Sequence, residues 1–132
     1  MSEKRVFTGG EHTVEGGEAQ FYDHAVGTIN GGEAEFNNKS VGTVNGGFAE
    51  FFDNAIGTVN GGAAEFYNNA VGAVYGGVAW FCNNSVGAVY GGEVWFHGNA
   101  VGTIHGGVAH VYNRNCKVIL AEGSTGEIIN HF

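Results

Sequence analysis

The chain has 132 residues, of which 25 are glycine and none is proline, and its formal net charge is −8 at pH 7. This length predicts one domain, 1–132, and the ordinary share of hydrophobic residues excludes a disordered glycine-rich tract. No apolar run has the length of a membrane helix, and the first residues lack the apolar core of a signal peptide. We therefore expect a cytoplasmic protein without a membrane partner. The acidic balance also argues against direct binding of nucleic acid.

Residues 1–15 form an imperfect first copy of a repeat that becomes regular afterwards. Counting back by the period predicts that Val6 takes the place of the phenylalanine of later copies, while His12 replaces a glycine. A degraded terminal coil suits a stacked repeat, because a perfect coil would present an open strand edge to other molecules. Lys4 and Arg5 add charge to that edge.

Residues 16–120 contain seven copies of a fifteen-residue unit, and each copy opens with Gly-Gly. Position four is alanine or valine and position six is phenylalanine in the first six copies, whereas positions three, five and seven vary. This alternation is typical of a strand with one buried face. Fifteen residues are too few for a helical hairpin repeat. The sequence therefore predicts an all-β fold, a single parallel β-solenoid (β-helix) of about seven to eight coils.

Valine or isoleucine also recurs at positions eleven and fourteen, and the period extends these two columns to Cys116 and Ile119. The Gly-Gly pairs, the glycine at position twelve and asparagine pairs such as Asn68-Asn69 are assigned to corners of the coil. Glycine and asparagine suit corners because both tolerate the left-handed backbone region.

The outward positions change character along the repeats. Carboxylates occupy positions three and five of the earlier copies, and aromatic residues occupy positions five and fifteen of the later ones. Like charges on neighbouring strands are destabilising, and exposed tryptophan tends to mark contact surface. We therefore predict a binding face with an acidic set and an aromatic set. The acidic set is Glu18, Glu33, Glu35, Glu50 and Glu65, and the aromatic set is Tyr75, Trp80, Tyr90, Trp95 and His110.

Residues 121–132 follow the repeats and end in a short apolar segment after a glycine-containing turn. The segment predicts either a cap folded over the last coil or an edge that joins two copies of the chain. We expect a homodimer with Ile128 and Ile129 at or near the interface.

Catalytic and metal sites are not indicated. The six histidines are scattered, and neither cysteine nor carboxylate spacing supports a metal site, so we expect no enzyme and no cofactor. Cys82 and Cys116 lie two coils apart, beyond disulfide reach when rungs are about 4.7–4.9 Å apart. Threonine recurs at position thirteen, but Ala73 and Ala88 interrupt it. Flat solenoids that bind ice carry paired threonine ladders, so this single ladder is better explained as β-forming residues at a bend.

The segments Gly-Thr-Ile-Asn-Gly-Gly-Glu-Ala at 27–34 and Gly-Thr-Val-Asn-Gly-Gly at 42–47 resemble the Gly-Gly-rich passenger repeats of self-associating autotransporter adhesins. Asn-Ser-Val-Gly at 84–87 is also similar to head repeats of trimeric autotransporter adhesins. The resemblance spans 16–120 and implies a β-solenoid that adheres to cells or to its own copies. In shape and charge the chain also resembles acidic solenoids of the pentapeptide-repeat type, which mimic duplex DNA.

These patterns favour a non-enzymatic protein-binding module, in which a rigid acidic and aromatic face occludes a basic surface of a partner protein. The size and charge fit a DNA-mimicking inhibitor encoded by a phage or a mobile element. The alternative is an adhesin or particle-spike fragment that binds glycan or associates with itself.

Overall fold

The computed structural model describes residues 4–132, and this part of the chain contains seventeen short strands and no helix. Consecutive strands alternate between two parallel sheets, so each coil gives one strand to each sheet. The nine-stranded sheet contains β1 (Lys4–Phe7), β3 (Glu18–Phe21), β5 (Glu33–Phe36), β7 (Phe48–Phe51), β9 (Ala63–Phe66), β11 (Val78–Phe81), β13 (Glu93–Phe96), β15 (Val108–Val111) and β17 (Glu127–Asn130). The eight-stranded sheet contains β2 (Glu11–Val14), β4 (Val26–Ile29), β6 (Val41–Val44), β8 (Ile56–Val59), β10 (Val71–Val74), β12 (Val86–Val89), β14 (Val101–Ile104) and β16 (Lys117–Leu120).

Strands pair in parallel with the equivalent strands of the coils above and below. In the regular copies each residue pairs with the residue fifteen positions away, as Phe51 does with Phe66. Two strands per coil give a solenoid of about eight turns. The predicted all-β parallel solenoid with fifteen-residue coils is therefore confirmed. Within residues 4–132 there is no helix with the length and apolarity needed to cross a membrane.

A stack of phenylalanine rings forms the centre of the core between the two sheets. The rings at position six in the first five regular copies lie 4.5–4.7 Å apart between centroids, and their planes differ by 5–8°. Each ring is fully buried, and the alanine or valine at position four is buried beside it. Burial of one such ring stabilises the fold by roughly 1.5–3 kcal/mol.

The glycine at position twelve makes room for this stack. A Cβ atom built on Gly57 would lie 2.5 Å from Cζ of Phe51, which is far inside van der Waals contact. Gly57 lies inside strand β8 and faces the core. The prediction that this glycine forms a corner is therefore wrong, because its role is to let an aromatic ring lie against the facing backbone.

The two corners of the coil use different residues. At the Gly-Gly corner, Gly62 has a φ of +73°, and a Cβ there would lie 2.6 Å from the carbonyl oxygen of Gly47. At the opposite corner a left-handed residue has φ of 59–61°, and its side chain hydrogen-bonds along the stack, as Asn68 does to Asp53 at 3.1 Å. The corner roles predicted for Gly-Gly and for the asparagine pairs are confirmed. The left-handed corner residues are Asp23, Asn38, Asp53, Asn68 and Asn83.

The first coil departs from the expected register by one residue. Phe7 pairs with Phe21, and the two ring centroids are 5.1 Å apart. Val6 points outward and is exposed, so the prediction that it takes the phenylalanine position is wrong. The cause is a corner after β1 that is one residue shorter than its equivalents. His12 fills the glycine position and stacks on Phe7 at 3.7 Å between centroids.

The last copy departs by one residue in the opposite direction. β16 pairs so that Lys117 occupies position eleven and Leu120 occupies position fourteen. The predictions that Cys116 and Ile119 occupy these positions are wrong, because the corner between β15 and β16 contains one extra residue.

In the same copy the core side chain is smaller on the nine-stranded sheet and larger on the eight-stranded sheet than in the other copies. Val111 replaces the phenylalanine at position six, and Val118 replaces the facing glycine at position twelve. A smaller side chain on the nine-stranded sheet thus leaves space for a larger one on the eight-stranded sheet. The phenylalanine stack ends at this coil.

The outer surface of the eight-stranded sheet carries two columns of short uncharged side chains, which we call the aliphatic face. Its position-eleven side chains are 37–49% exposed from the second to the sixth copy, although they are as constant as the core positions. The two columns are Val26, Val41, Ile56, Val71, Val86 and Val101, and Thr28, Thr43, Thr58, Ala73, Ala88 and Thr103.

The segment after the repeats adds β17 to the nine-stranded sheet. Ile128 pairs with Ala109 and packs against the core, whereas Ile129 pairs with His110 on the outer side. Leu120 is 51% exposed and Phe132 is 52% exposed, so this end of the solenoid keeps apolar surface in contact with solvent.

Candidate functional site

The five acidic residues selected from the sequence lie together on the outer surface of the nine-stranded sheet. Glu18 and Glu33 are paired neighbours at position three, and Glu35, Glu50 and Glu65 are successive neighbours at position five. We call these five residues the carboxylate strip. The first four of them line a shallow depression of about 50 Å³.

Mutual repulsion is visible within the carboxylate strip. Partial burial raises the pKa of Glu50, and the negative charges of Glu65, Glu35 and Glu33 raise it further. Gln20 donates a hydrogen bond of 3.0 Å to Glu35. Because Gln20 is neutral, this bond does not cancel the negative charge of Glu35. In the described part of the chain, no lysine or arginine makes an ion pair with these carboxylates. Lys4 lines the same depression and is the strand neighbour of Glu18, so a basic residue lies near one end of the strip, whereas Glu35, Glu50 and Glu65 have no lysine or arginine within ion-pair distance among the described residues.

A tyrosine supports the strip at its upper end. The hydroxyl of Tyr67 donates a hydrogen bond to Glu65. Burial raises the pKa of Tyr67, and the bond to Glu65 raises it further, so the hydroxyl keeps its proton and holds the carboxylate in one orientation. Tyr67 is not among the residues predicted from the sequence. The available signal was its spacing, because positions five and seven of one strand face the same side.

Two tryptophans continue the column of glutamates. Trp80 pairs with Glu65, and Trp95 pairs with Trp80 on the next strand. The two indole centroids are 5.1 Å apart, and the ring of His110 stacks on Trp95 at 5.3 Å. Because the rings cover one another's faces, the column presents mainly ring edges to solvent.

The two predicted tyrosines do not belong to this surface. Tyr75 and Tyr90 lie at the Gly-Gly corner, where they stack on each other at 4.9 Å and continue into His105 at 4.6 Å. The sequence pattern grouped the aromatic residues of positions five and fifteen as one surface of the later copies. In the structure a corner of the coil separates these two columns. Tyr75 and Tyr90 therefore form a separate aromatic ladder.

His110 is the centre of a small polar cluster at the end of the tryptophan column. Its Nε2 lies 2.7 Å from Oε2 of Glu93, and its Nδ1 lies 2.9 Å from Nε2 of His131. Neither partner is among the residues predicted from the sequence, although the spacing of Glu93 was a usable signal, because position three of one coil adjoins position five of the next. Within residues 4–132, no group of three or more histidine, cysteine, aspartate or glutamate residues is arranged to hold a metal ion.

Neither cysteine takes part in the site. Cys82 and Cys116 are free thiols, each partly buried. Burial raises the pKa of both thiols, so the reactive thiolate is scarce at neutral pH. Their roles are those of small apolar side chains.

The carboxylate strip and the tryptophan column form one continuous surface with a simple chemistry. Ionised carboxylates accept hydrogen bonds and attract cations, and the aromatic edges add apolar contact area. This combination suits recognition of a cationic surface. Comparisons with protein-family models, with curated proteins and with solved structures found no match for the chain.

Proposed function

We propose that the protein is a non-enzymatic binding module whose carboxylate strip and tryptophan column cover a basic surface of a partner protein. The observation that carries this proposal is the alignment of Glu35, Glu50 and Glu65 on three successive strands. Burial is the largest cause of the raised pKa of Glu50, and the charges of Glu65, Glu35 and Glu33 raise it further, which is the electrostatic penalty of that alignment. A cationic partner relieves the penalty, because opposite charges nearby favour the ionised form.

A partner that normally binds nucleic acid has the matching chemistry. Such a protein arranges lysine and arginine against phosphates about 3.4 Å apart along one DNA strand. The rungs of the solenoid, 4.5–4.7 Å apart at the stacked phenylalanine rings, repeat carboxylates at a spacing of the same order. The mechanism we favour is therefore competition for a nucleic-acid site, as expected of a DNA-mimicking inhibitor.

The alternative of a glycan-binding adhesin has weaker support. A sugar platform needs a free aromatic face, but Trp95 lies between Trp80 and His110 in one stack. Recognition of sugar also needs several converging hydrogen-bonding side chains. The Trp80→Ala and Trp95→Ala variants should therefore leave any glycan-array signal unchanged.

Charge reversal tests the proposal. Tagged protein is incubated with extract of its native host, and retained proteins are identified by mass spectrometry. The wild type should retain a basic protein, release it steeply as salt rises, and lose it to competing duplex DNA. Glu35→Lys combined with Glu50→Lys should abolish retention and leave the circular dichroism spectrum intact, because both side chains face outward.

The matched control combines Glu11→Lys with Glu122→Lys. Both residues are exposed and lie outside the carboxylate strip, so the change in net charge is the same while the strip is preserved. The control should retain the partner. Full retention by Glu35→Lys with Glu50→Lys would show that the strip is only a solvated surface.

A further inference from the structure

The aliphatic face is a regular array of in-register strands on the side of the solenoid opposite the carboxylate strip. Adjacent strands of ordinary sheets are rotated by about 20–25°. Here the five stacked pairs of phenylalanine rings, which lie on the facing nine-stranded sheet of the same coils, differ in plane by 5–13° from one coil to the next. The strands of the face pair in register, and the coils that carry them are 4.5–5.1 Å apart at the phenylalanine ring centroids, so the face repeats the same two columns at about that rung spacing along one direction.

The two columns of the face combine apolar and hydroxyl groups. Position eleven gives valine or isoleucine on all six regular strands, and position thirteen gives threonine on four strands and alanine on two. The β-branched side chains are stiff at χ1, so they lose little freedom when a rigid surface covers them. Charges enter these columns only on the outermost strands, with Glu11 on β2 and Lys117 on β16.

We propose that the aliphatic face binds ice. Hexagonal ice presents oxygen atoms at a lattice repeat close to the rung spacing, so one array of methyl and hydroxyl groups can meet the lattice at every rung. The methyl groups order the water beside them, and the threonine hydroxyls donate and accept hydrogen bonds within that water. The valine column is the second ladder that the threonine pattern alone lacked, and Ala73 and Ala88 keep a methyl group in place without raising the surface.

The size and regularity of the face favour a lattice over a second copy of the chain. Two columns about 6.6–6.8 Å apart along the strand and six rungs deep cover only a few hundred Å², well below the roughly 800 Å² per partner of a standard protein interface. A lattice compensates for small area because every rung meets an equivalent set of water molecules.

Thermal hysteresis measures the activity directly. The purified protein is placed on a single ice crystal in a nanolitre osmometer, and the gap between melting and freezing temperatures is recorded with the crystal shape. The wild type should open a gap and facet the crystal. Thr58→Arg, at the middle of the face, should lose most of the gap because the long charged side chain lifts the face from the lattice.

Two further variants make the result specific. Asn69→Arg adds the same charge at an exposed corner and should keep the full gap. Ala73→Thr combined with Ala88→Thr completes the threonine column and should widen the gap. Absence of any gap or faceting in both the wild type and this double variant would overturn the proposal. So would self-association that Thr58→Arg abolishes in sedimentation while the wild type shows no hysteresis, because the face would then join two copies.

Discussion

Ser40 and Ser85 replace alanine at position ten of their copies, and each hydroxyl is buried without a hydrogen-bond partner. A buried polar group without a partner loses about 1–3 kcal/mol relative to its hydrated state. Ser40→Ala should therefore raise the free energy of unfolding by about 1 kcal/mol in urea denaturation. Ser124→Ala is the control, because Ser124 accepts a hydrogen bond of 2.9 Å from the Gly126 amide and should lose stability when truncated. A destabilised Ser40→Ala protein would contradict this assignment.

Glu50 makes stability depend on pH. Burial and the neighbouring carboxylates raise its pKa above the ordinary value of 4.5, so the protonated form is favoured more in the folded state than in the unfolded chain. The associated stability is present in full below the unfolded pKa and is lost as pH rises through the higher folded pKa. Acidification from neutral pH towards 4.5 should therefore stabilise the protein, and Glu50→Gln should flatten this dependence and stabilise it at pH 7. Thermal melts across this range check the sign. Equal slopes in the two proteins would rule out Glu50 as the source.

Among the elements, the packing of the two sheets depends on the match between phenylalanine and glycine. Gly57→Ala should lower the free energy of unfolding by about 1–3 kcal/mol, as expected for an overfilled core. Combined with Phe51→Val, it should cost less than the sum of the two single changes, because the smaller side chain frees the space that the methyl group needs. The chain already contains such a pair in Val111 and Val118. Denaturant midpoints of the four proteins give the coupling energy, and strict additivity would contradict the model of shared space.

The strands and their stacking could be predicted from sequence because the period fixes which residues are neighbours. The side that each residue faces was harder to infer on the eight-stranded sheet. There the inward position between valine and threonine is glycine, which carries no hydrophobic signal, so Ile56 and its equivalents were as constant as core residues although they face outward. The residues of the carboxylate strip lie side by side on one surface because they occupy two columns that face the same way. Tyr75 was grouped with Trp80 because the two residues lie in neighbouring copies of the repeat, although a corner of the coil separates them.

The ends of the repeat were the least predictable elements. A corner shorter by one residue before β2 and a corner longer by one before β16 shift the register, and no periodic pattern reveals which corner changes length. At the first coil the shift in register places Phe7, rather than Val6, next to Phe21 in the stack. Sequence periodicity therefore defines the interior of such a molecule better than its two ends.

For the whole molecule, the open end after the last coil bears on oligomeric state. β16 and β17 are the outermost strands of their sheets at this end, and Leu120 and Phe132 are exposed there. We expect a homodimer that buries this end, with Ile129 at its margin and Ile128 near it, partly buried against the core of its own subunit. Light scattering should give twice the monomer mass, and Leu120→Lys with Ile129→Lys should restore the monomer. A wild-type monomer at high concentration would remove the prediction.

The pairing of each coil only with its immediate neighbours makes the length of this protein adjustable. Slippage during copying of a tandemly repeated gene adds or removes units of fifteen codons, and a coil inserted at a Gly-Gly corner keeps every other coil in register. Each added coil would lengthen both outer surfaces by one rung at once. Natural selection can therefore set the extent of both surfaces through the number of units, without changing any single contact.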